Sequence, residues 1–254
     1  MAQVFDAVAS SFERLRTLPS GVPEAIRSAI FAAIRIASPA KVLDLGAGTG
    51  RIGRVFIAAG DHYMGADTSL AMLREFQVSA KDGCLVQADG RQLPFRKGAF
   101  DLVLLMHVLS GTQDCQEIVK ESRRVVRAGG AVVVGHTVRS ESGIDAQLKR
   151  ELRSILEEMG IPLRQPRESR REALEWLNSH ARHGVHSQSA SWTTSTNAQQ
   201  FLERHRTGAR FAALPLPAQE LAISKLMEWA MKTLGSLDST FEEQHSFELD
   251  IFEF

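Results

Sequence analysis

The chain is 254 residues long and 44% hydrophobic, with 30 Lys and Arg balanced by 30 Asp and Glu. This suits one α/β domain with an elaboration, and a net charge of zero excludes a global field that would draw in nucleic acid or acidic lipid. Two cysteines, Cys84 and Cys115, form no metal or redox pattern and no apolar run reaches membrane length, so the chain reads as soluble and cytoplasmic, without a metal site.

Residues 3–16 carry Val4, Val8, Phe12 and Leu15 at helical spacing. A second helix is expected over 23–37, with Pro23 in its first turn and Ile26, Ile30, Ala33 and Ile34 as its buried stripe. Val42-Leu43-Asp44-Leu45 reads as a buried parallel strand. Gly46-Ala47-Gly48-Thr49-Gly50 then turns into a helix starting at Arg51 and stopping at Gly60. Glycine permits a sharp turn and close approach of a ligand, and free amides at the helix start face it, so this unit builds a nucleotide seat. The glycine register matters. Gly48-Thr49-Gly50-Arg51-Ile52-Gly53 satisfies GxGxxG, yet a dinucleotide fold puts its first glycine at the strand end, here Gly46. Counted from Gly46, the third small residue falls on the large, charged Arg51.

A second strand over 61–67 ends on Asp67, whose two oxygens suit ribose hydroxyls; the alternative is that Asp67 caps the helix starting near Ser69. That helix carries Met72 and Phe76, and a third strand over 84–88 leads to Asp89-Gly90-Arg91 and then Leu93-Pro94-Phe95. The apolar run 100–109 is a fourth strand covered on both faces, with Asp101 structural at its start. A helix over 115–127 carries Ile118, Val119, Ser122, Val125 and Val126 on one side, Ala128-Gly129-Gly130 turns the chain, and 131–137 is a fifth strand. Strand and helix alternate without a linker from 40 to 137, which implies a parallel sheet.

Beyond that, a helix over 144–159 stops at Gly160, and Ser169-Arg170-Arg171-Glu172 reads as a capping box opening another. A strand over 185–194 and a short helix capped within 196–199 follow. A long helix from Pro217 to Gly235 and a closing strand over 246–254 complete the chain. Arg164, Arg167, Arg170 and Arg171 are the one basic concentration, read as a solvated linker and helix start.

An acid two residues before Gly46, glycines at 46, 48 and 50, acids at two further strand tips, and Leu93-Pro94-Phe95 together resemble the class I S-adenosylmethionine (SAM)-dependent methyltransferases. The likeness is to the small-molecule type associated with ubiquinone and menaquinone biosynthesis. Phe5, Asp6, Phe12, Glu13 and Arg16 match that family's N-terminal signature, with Phe12 where tyrosine is usual; a plain amphipathic helix is the other reading. The resemblance implies an α/β fold with a doubly wound, Rossmann-like seven-stranded sheet, parallel but for one strand, plus a C-terminal helical cover. Residues 1–38 would close over the cofactor, 39–140 would form the core, and 141–254 would cover the substrate and supply the last two strands. SAM would be held by Phe12, Arg16, Asp44, Gly46, Ala47, Gly48, Asp67, Thr68, Met72, Asp89, Gly90, Arg91 and Met106.

The implied reaction is in-line methyl transfer to an oxygen, nitrogen or carbon of a small-molecule acceptor, leaving S-adenosylhomocysteine. His107 and His136, at the ends of the fourth and fifth strands, are placed to act as general base. Met106-His107-Val108-Leu109 stands where DNA amino-methylating enzymes carry Asp/Asn-Pro-Pro-aromatic, so no nucleic-acid target is expected. The alternatives are a non-catalytic protein of this fold acting as a binding or assembly partner, and use of the C-terminal helices as a homodimer contact.

Overall fold

In the computed structural model, which describes residues 6, 9–112, 114–161 and 167–254, seven strands share one sheet. They are β1 (Lys41–Leu45), β2 (His62–Asp67), β3 (Cys84–Gln87), β4 (Phe100–Met106), β5 (Val126–Arg139), β6 (His183–Thr196) and β7 (Phe241–Glu253). Their order across the sheet is β3-β2-β1-β4-β5-β7-β6. β1 pairs in parallel with β2 and β4, β2 with β3, and β4 with β5. β7 runs against β5: the Phe254 N–H donates to the Gly130 carbonyl at 3.0 Å and the Ser140 N–H to the Gln244 carbonyl at 3.4 Å, so one number rises as the other falls. This is the doubly wound sheet with one antiparallel strand that the resemblance implies.

The helices are α1 (Ala9–Arg16), α2 (Val22–Ala33), α3 (Gly53–Ala58), α4 (Leu70–Ser79), α5 (Cys115–Val125), α6 (Ile144–Glu158), α7 (Arg167–His180), α8 (Ala198–Arg206), α9 (Ala209–Ala212) and α10 (Leu216–Leu234). None of the described helices is long and apolar enough to cross a membrane. The chain divides into two units: a larger one of the described residues in 2–137, 166–190 and 247–254, and a smaller one of those in 138–165 and 191–246. In the larger, both faces of the central strands are apolar. Leu43, Val103, Leu105, Val132 and Val134 pack with Ile118 and Val119 of α5 and with Ala173 and Leu177 of α7. In the smaller, Leu148, Leu152 and Ile155 of α6 pack with Phe201 of α8 and with Ile223 and Leu226 of α10.

Several boundaries differ from the sequence reading for identifiable reasons. Residues 167–180 group by sequence with the C-terminal helices, but Ala173 and Leu177 are fully buried in the larger unit's core, so α7 belongs there. α7 also starts at Arg167, which puts Ser169 inside the first turn, hydrogen-bonded to Cys115 rather than capping. β4 stops at Met106 instead of continuing to 109, because His107 adopts φ 62°. β5 already begins at Val126, with Gly129 at φ 71° inside it. The 196–199 cap resolves to Asn197, whose side chain accepts the Gln200 N–H at 2.8 Å while Gln200 accepts the Asn197 N–H at 3.3 Å. Val4, Phe5, Val8 and Arg164 lie outside the described residues.

Candidate functional site

The glycine turn follows β1. Gly46, Gly48 and Gly50 take φ of 76°, 55° and 83°, a left-handed region that a Cβ disfavours. At Gly46 and Gly50 space is short as well: a Cβ would lie 2.5 Å from Val108 Cγ2 and 2.3 Å from the Phe76 ring. The Gly46 and Ala47 N–H groups both donate to the Ala66 carbonyl, at 2.7 and 3.1 Å. Gly48 N–H donates to one oxygen of Asp67 and Ser69 N–H to the other, each at 2.9 Å. Asp67 therefore ties the turn to the end of β2. The cap of α4 is Ser69, not Asp67, since the Ser69 hydroxyl accepts the Met72 N–H at 3.2 Å. Burial raises the Asp67 carboxyl above its ordinary range against these hydrogen bonds.

Asp44, the penultimate residue of β1, is 2% exposed. Its Oδ2 accepts the Tyr63 hydroxyl at 2.8 Å, while Oδ1 has no hydrogen-bond partner among the described residues. Burial pushes the carboxyl up to about 7, with the Tyr63 hydrogen bond opposing. A half-satisfied carboxyl with raised basicity beside a glycine turn is poised to receive a cation, which would favour its charged form. Tyr63 is the chain's single tyrosine, but a contact between neighbouring strands carries no local signal, so sequence reasoning missed it.

Asp89 stands two residues past β3. It accepts the Arg91 N–H at 2.9 Å and the Arg91 Nη2 at 2.7 Å, and the Arg91 guanidinium holds its carboxyl below the usual range. Arg91 also reaches Asp114 at 3.4 Å. Gly90 is buried; a Cβ there would meet Leu45 at 3.2 Å. Met72 and Met106 are buried, and the Thr68 carbonyl accepts from Gln87 at 3.0 Å. Because β1, β2 and β3 are parallel, Asp44, Asp67 and Asp89 lie toward one edge of the sheet, the carboxyl edge where such sheets bind ligands.

The N-terminal segment is tied to the same edge. Glu13 accepts the Thr49 hydroxyl at 2.5 Å and pairs with Arg54 at 2.5 Å, while Asp6 accepts the Ser69 hydroxyl at 2.6 Å. The Phe12 ring faces the guanidinium groups of Arg16 and Arg51, each 5.3 Å from its centroid, and Arg51 donates to the Arg16 carbonyl. Asp6 and Glu13 thus have contacts that their place in a motif did not specify.

The two histidines part company. His107 follows β4 with its N–H donating to the Gly135 carbonyl at 2.7 Å. Its Nε2 lies 3.5 Å from Thr137 Oγ1, and its ring meets Phe247 edge-on at 5.5 Å. Strand alternation puts His136 and Thr137 on opposite faces. His136 Nδ1 accordingly faces Arg170 of α7 at 3.3 Å, and burial and that guanidinium lower its basicity. The structure brings His107, and not His136, to the side of β5 that Thr137 occupies.

Residues 43–134 match the methyltransferase domain family model. The chain is 33% identical over 135 residues to the demethylmenaquinone methyltransferase of Streptomyces griseus, covering 53% of this chain and 59% of that protein. It thus spans under two thirds of that curated relative's length. Among solved structures, the YcgJ protein from Bacillus subtilis aligns with a TM-score of 0.57 at 16% identity, over 91% of this chain and 99% of its own. A phosphoethanolamine N-methyltransferase 2 of Haemonchus contortus, in complex with phosphomonomethylethanolamine and S-adenosylhomocysteine, aligns with a TM-score of 0.52 at 15% identity, over 98% and 58%. At these identities the structures establish the fold.

Proposed function

We propose that this chain, whose residues 43–134 match the methyltransferase domain family model, is a class I SAM-dependent methyltransferase that transfers a methyl group to a small-molecule acceptor. The observation that carries the reading is the carboxyl edge, where Asp44, the glycine turn, Asp67 and Asp89 follow on three consecutive strands. The residues fit the cofactor: Asp44 Oδ1 is a buried acceptor lacking a donor among the described residues, which an ammonium group would satisfy, and Gly46, Gly48 and Gly50 leave the backbone bare. SAM, when bound, supplies a methyl group on a positively charged sulfur that leaves as a neutral thioether.

Asp67, fixed by two backbone N–H groups, retains lone pairs for the ribose hydroxyls. Asp89, Gly90 and Arg91 take the adenine end, with Thr68, Met72 and Met106 around it, and Gly46, Ala47 and Gly48 approach by backbone. Phe12 and Arg16, anchored through Glu13 and Thr49, close over the cofactor. What the chain must then do is hold a nucleophile aligned, which accounts for about 7–11 kcal/mol of a barrier of this kind. His107 is the preferred base for an acceptor that must lose a proton, with Thr137 beside Nε2; His136 is the weaker choice because Arg170 occupies its Nδ1.

Calorimetric titration of S-adenosylhomocysteine into wild type and Asp67→Ala tests the reading. Hydrogen bonds to a charged group contribute about 1.5–3 kcal/mol, so affinity is expected to fall about 10- to 150-fold. Equal affinity, or preference for NAD, defeats it. A screen of metabolite, protein and nucleic-acid pools with labelled SAM then separates acceptors; label in RNA or protein alone overturns the small-molecule assignment.

A further inference from the structure

Gly53 completes the formal GxGxxG of the sequence, yet it opens α3, past the glycine turn. What it makes room for is Tyr63 of β2: a Cβ on Gly53 would overlap the tyrosine hydroxyl. A Cβ on Gly65, two residues further along β2, would meet the other edge of the ring at 3.2 Å. Phe76 stands edge-on to that ring at 5.8 Å between centroids, and itself fills the space that Gly50 leaves. Glycines on two elements and one aromatic ring thus hold Tyr63, 6% exposed, in one orientation.

That orientation has a polar outcome. The Tyr63 hydroxyl donates to Asp44 Oδ2 at 2.8 Å. Phenylalanine would fill the same apolar slot, so packing alone does not call for the hydroxyl. Burial, with Asp44 beside it, pushes the hydroxyl well above its ordinary range, so it stays a donor throughout the neutral range. Around Asp44, β4 sets Leu104 in register with it, and β2 contributes Gly65, Tyr63 and the carboxyl of Asp67. Burial and Asp67 both favour the neutral acid, and the Tyr63 hydroxyl favours the carboxylate against them. A carboxylate under the glycine turn attracts a cationic group by its field, without having to be touched.

We propose that Tyr63 is a positioning residue for cofactor binding, its hydroxyl fixing the Asp44 carboxylate to which the ammonium group of the cofactor is drawn. The proposal rests on the methyltransferase reading. Its test is calorimetric titration of S-adenosylhomocysteine into wild type and Tyr63→Phe between about pH 6 and about pH 9. With the Asp44 carboxyl raised to about 7 in the free protein, wild-type affinity should climb about tenfold per pH unit below that value and level off above it. Loss of the hydrogen bond moves this break up by about one pH unit or more. Tyr63→Phe should therefore bind about tenfold more weakly near the lower pH and within about twofold of wild type near the upper. The ratio of the two proteins at each pH cancels the ligand's own titration.

Gly53→Ala crowds the same hydroxyl from α3. It should show the same pH-dependent loss, and it carries the test if Tyr63→Phe misfolds. In an Asp44→Asn background, Tyr63→Phe should leave the pH profile unchanged. Equal affinities at low pH, or an equal loss at every pH as from a merely structural tyrosine, overturn the proposal and leave the methyltransferase reading standing. Absence of binding to wild type as well defeats the methyltransferase reading, and this proposal with it.

Discussion

Asp44→Asn should make the ligand-free protein more stable at pH 8 and leave it unchanged near pH 4. Asparagine keeps the shape of the protonated acid and can still accept from the Tyr63 hydroxyl. Burial lifts the Asp44 carboxyl from an ordinary 3.8 to about 7, which corresponds to about 4 kcal/mol. The sign follows from proton counting: between those values the folded state binds the extra proton, so wild-type stability falls as pH rises. The contribution is fully present below about pH 4, is lost progressively through about pH 7, and is level beyond. Denaturant unfolding of both proteins across pH 4–8 isolates the effect, because all other titrations cancel in the difference. The mutant's advantage should grow to about 2–4 kcal/mol at pH 8. With saturating S-adenosylhomocysteine the order should narrow or reverse, since an ammonium on Oδ1 stabilises only the carboxylate. A pH-independent difference between the two proteins would show that Asp44 is ionised throughout and that this reasoning is wrong.

Two backbone predictions test the edge on which the site is built. Gly50→Ala should cost about 2–4 kcal/mol by chemical denaturation, since left-handed strain adds to a clash with the Phe76 ring. Gly60→Ala, at φ 82° with nothing within 4 Å, should cost only the strain, about 1–2 kcal/mol; equal losses would remove the packing argument. His107→Gly should be about 1 kcal/mol more stable than His107→Ala, because only the latter retains a Cβ at φ 62°. Indistinguishable unfolding midpoints would mean the left-handed conformation carries no strain.

The strand-tip acids and the glycine turn were legible because their signals are local. An apolar run, a glycine at its end and an acid at the next tip sit within short windows, and the parallel sheet then brings distant windows to one edge. Contacts between elements were not legible in that way. Nothing in 167–180 announces that Ala173 and Leu177 will bury against α5 rather than among the other C-terminal helices, since both destinations want the same helical stripe. His136 and His107 look equivalent in sequence, each near a strand end. One residue of strand alternation and a left-handed His107 separate them onto different partners, Arg170 and Thr137.

Where the fold goes against local preference is itself informative. At the carboxyl edge the chain accepts a half-satisfied buried Asp44, a left-handed His107 and two glycines that tolerate no side chain, within one set of neighbouring strand ends. Each costs about 1–3 kcal/mol, and such costs gather where a ligand or a reaction repays them. The remaining buried, unpaired side-chain atoms among the described residues belong to Arg139, Glu243 and His245, all in the smaller unit. Glu243 caps α6 through Oε1, and it is Oε2 that is left unpaired. Arg139 pairs with Asp145, and His245 stacks on Trp192 and meets the Thr194 hydroxyl, so both side chains have structural partners. In the larger unit Asp44 Oδ1 is a buried acceptor without a donor among the described residues, at the strand ends where the other costs gather.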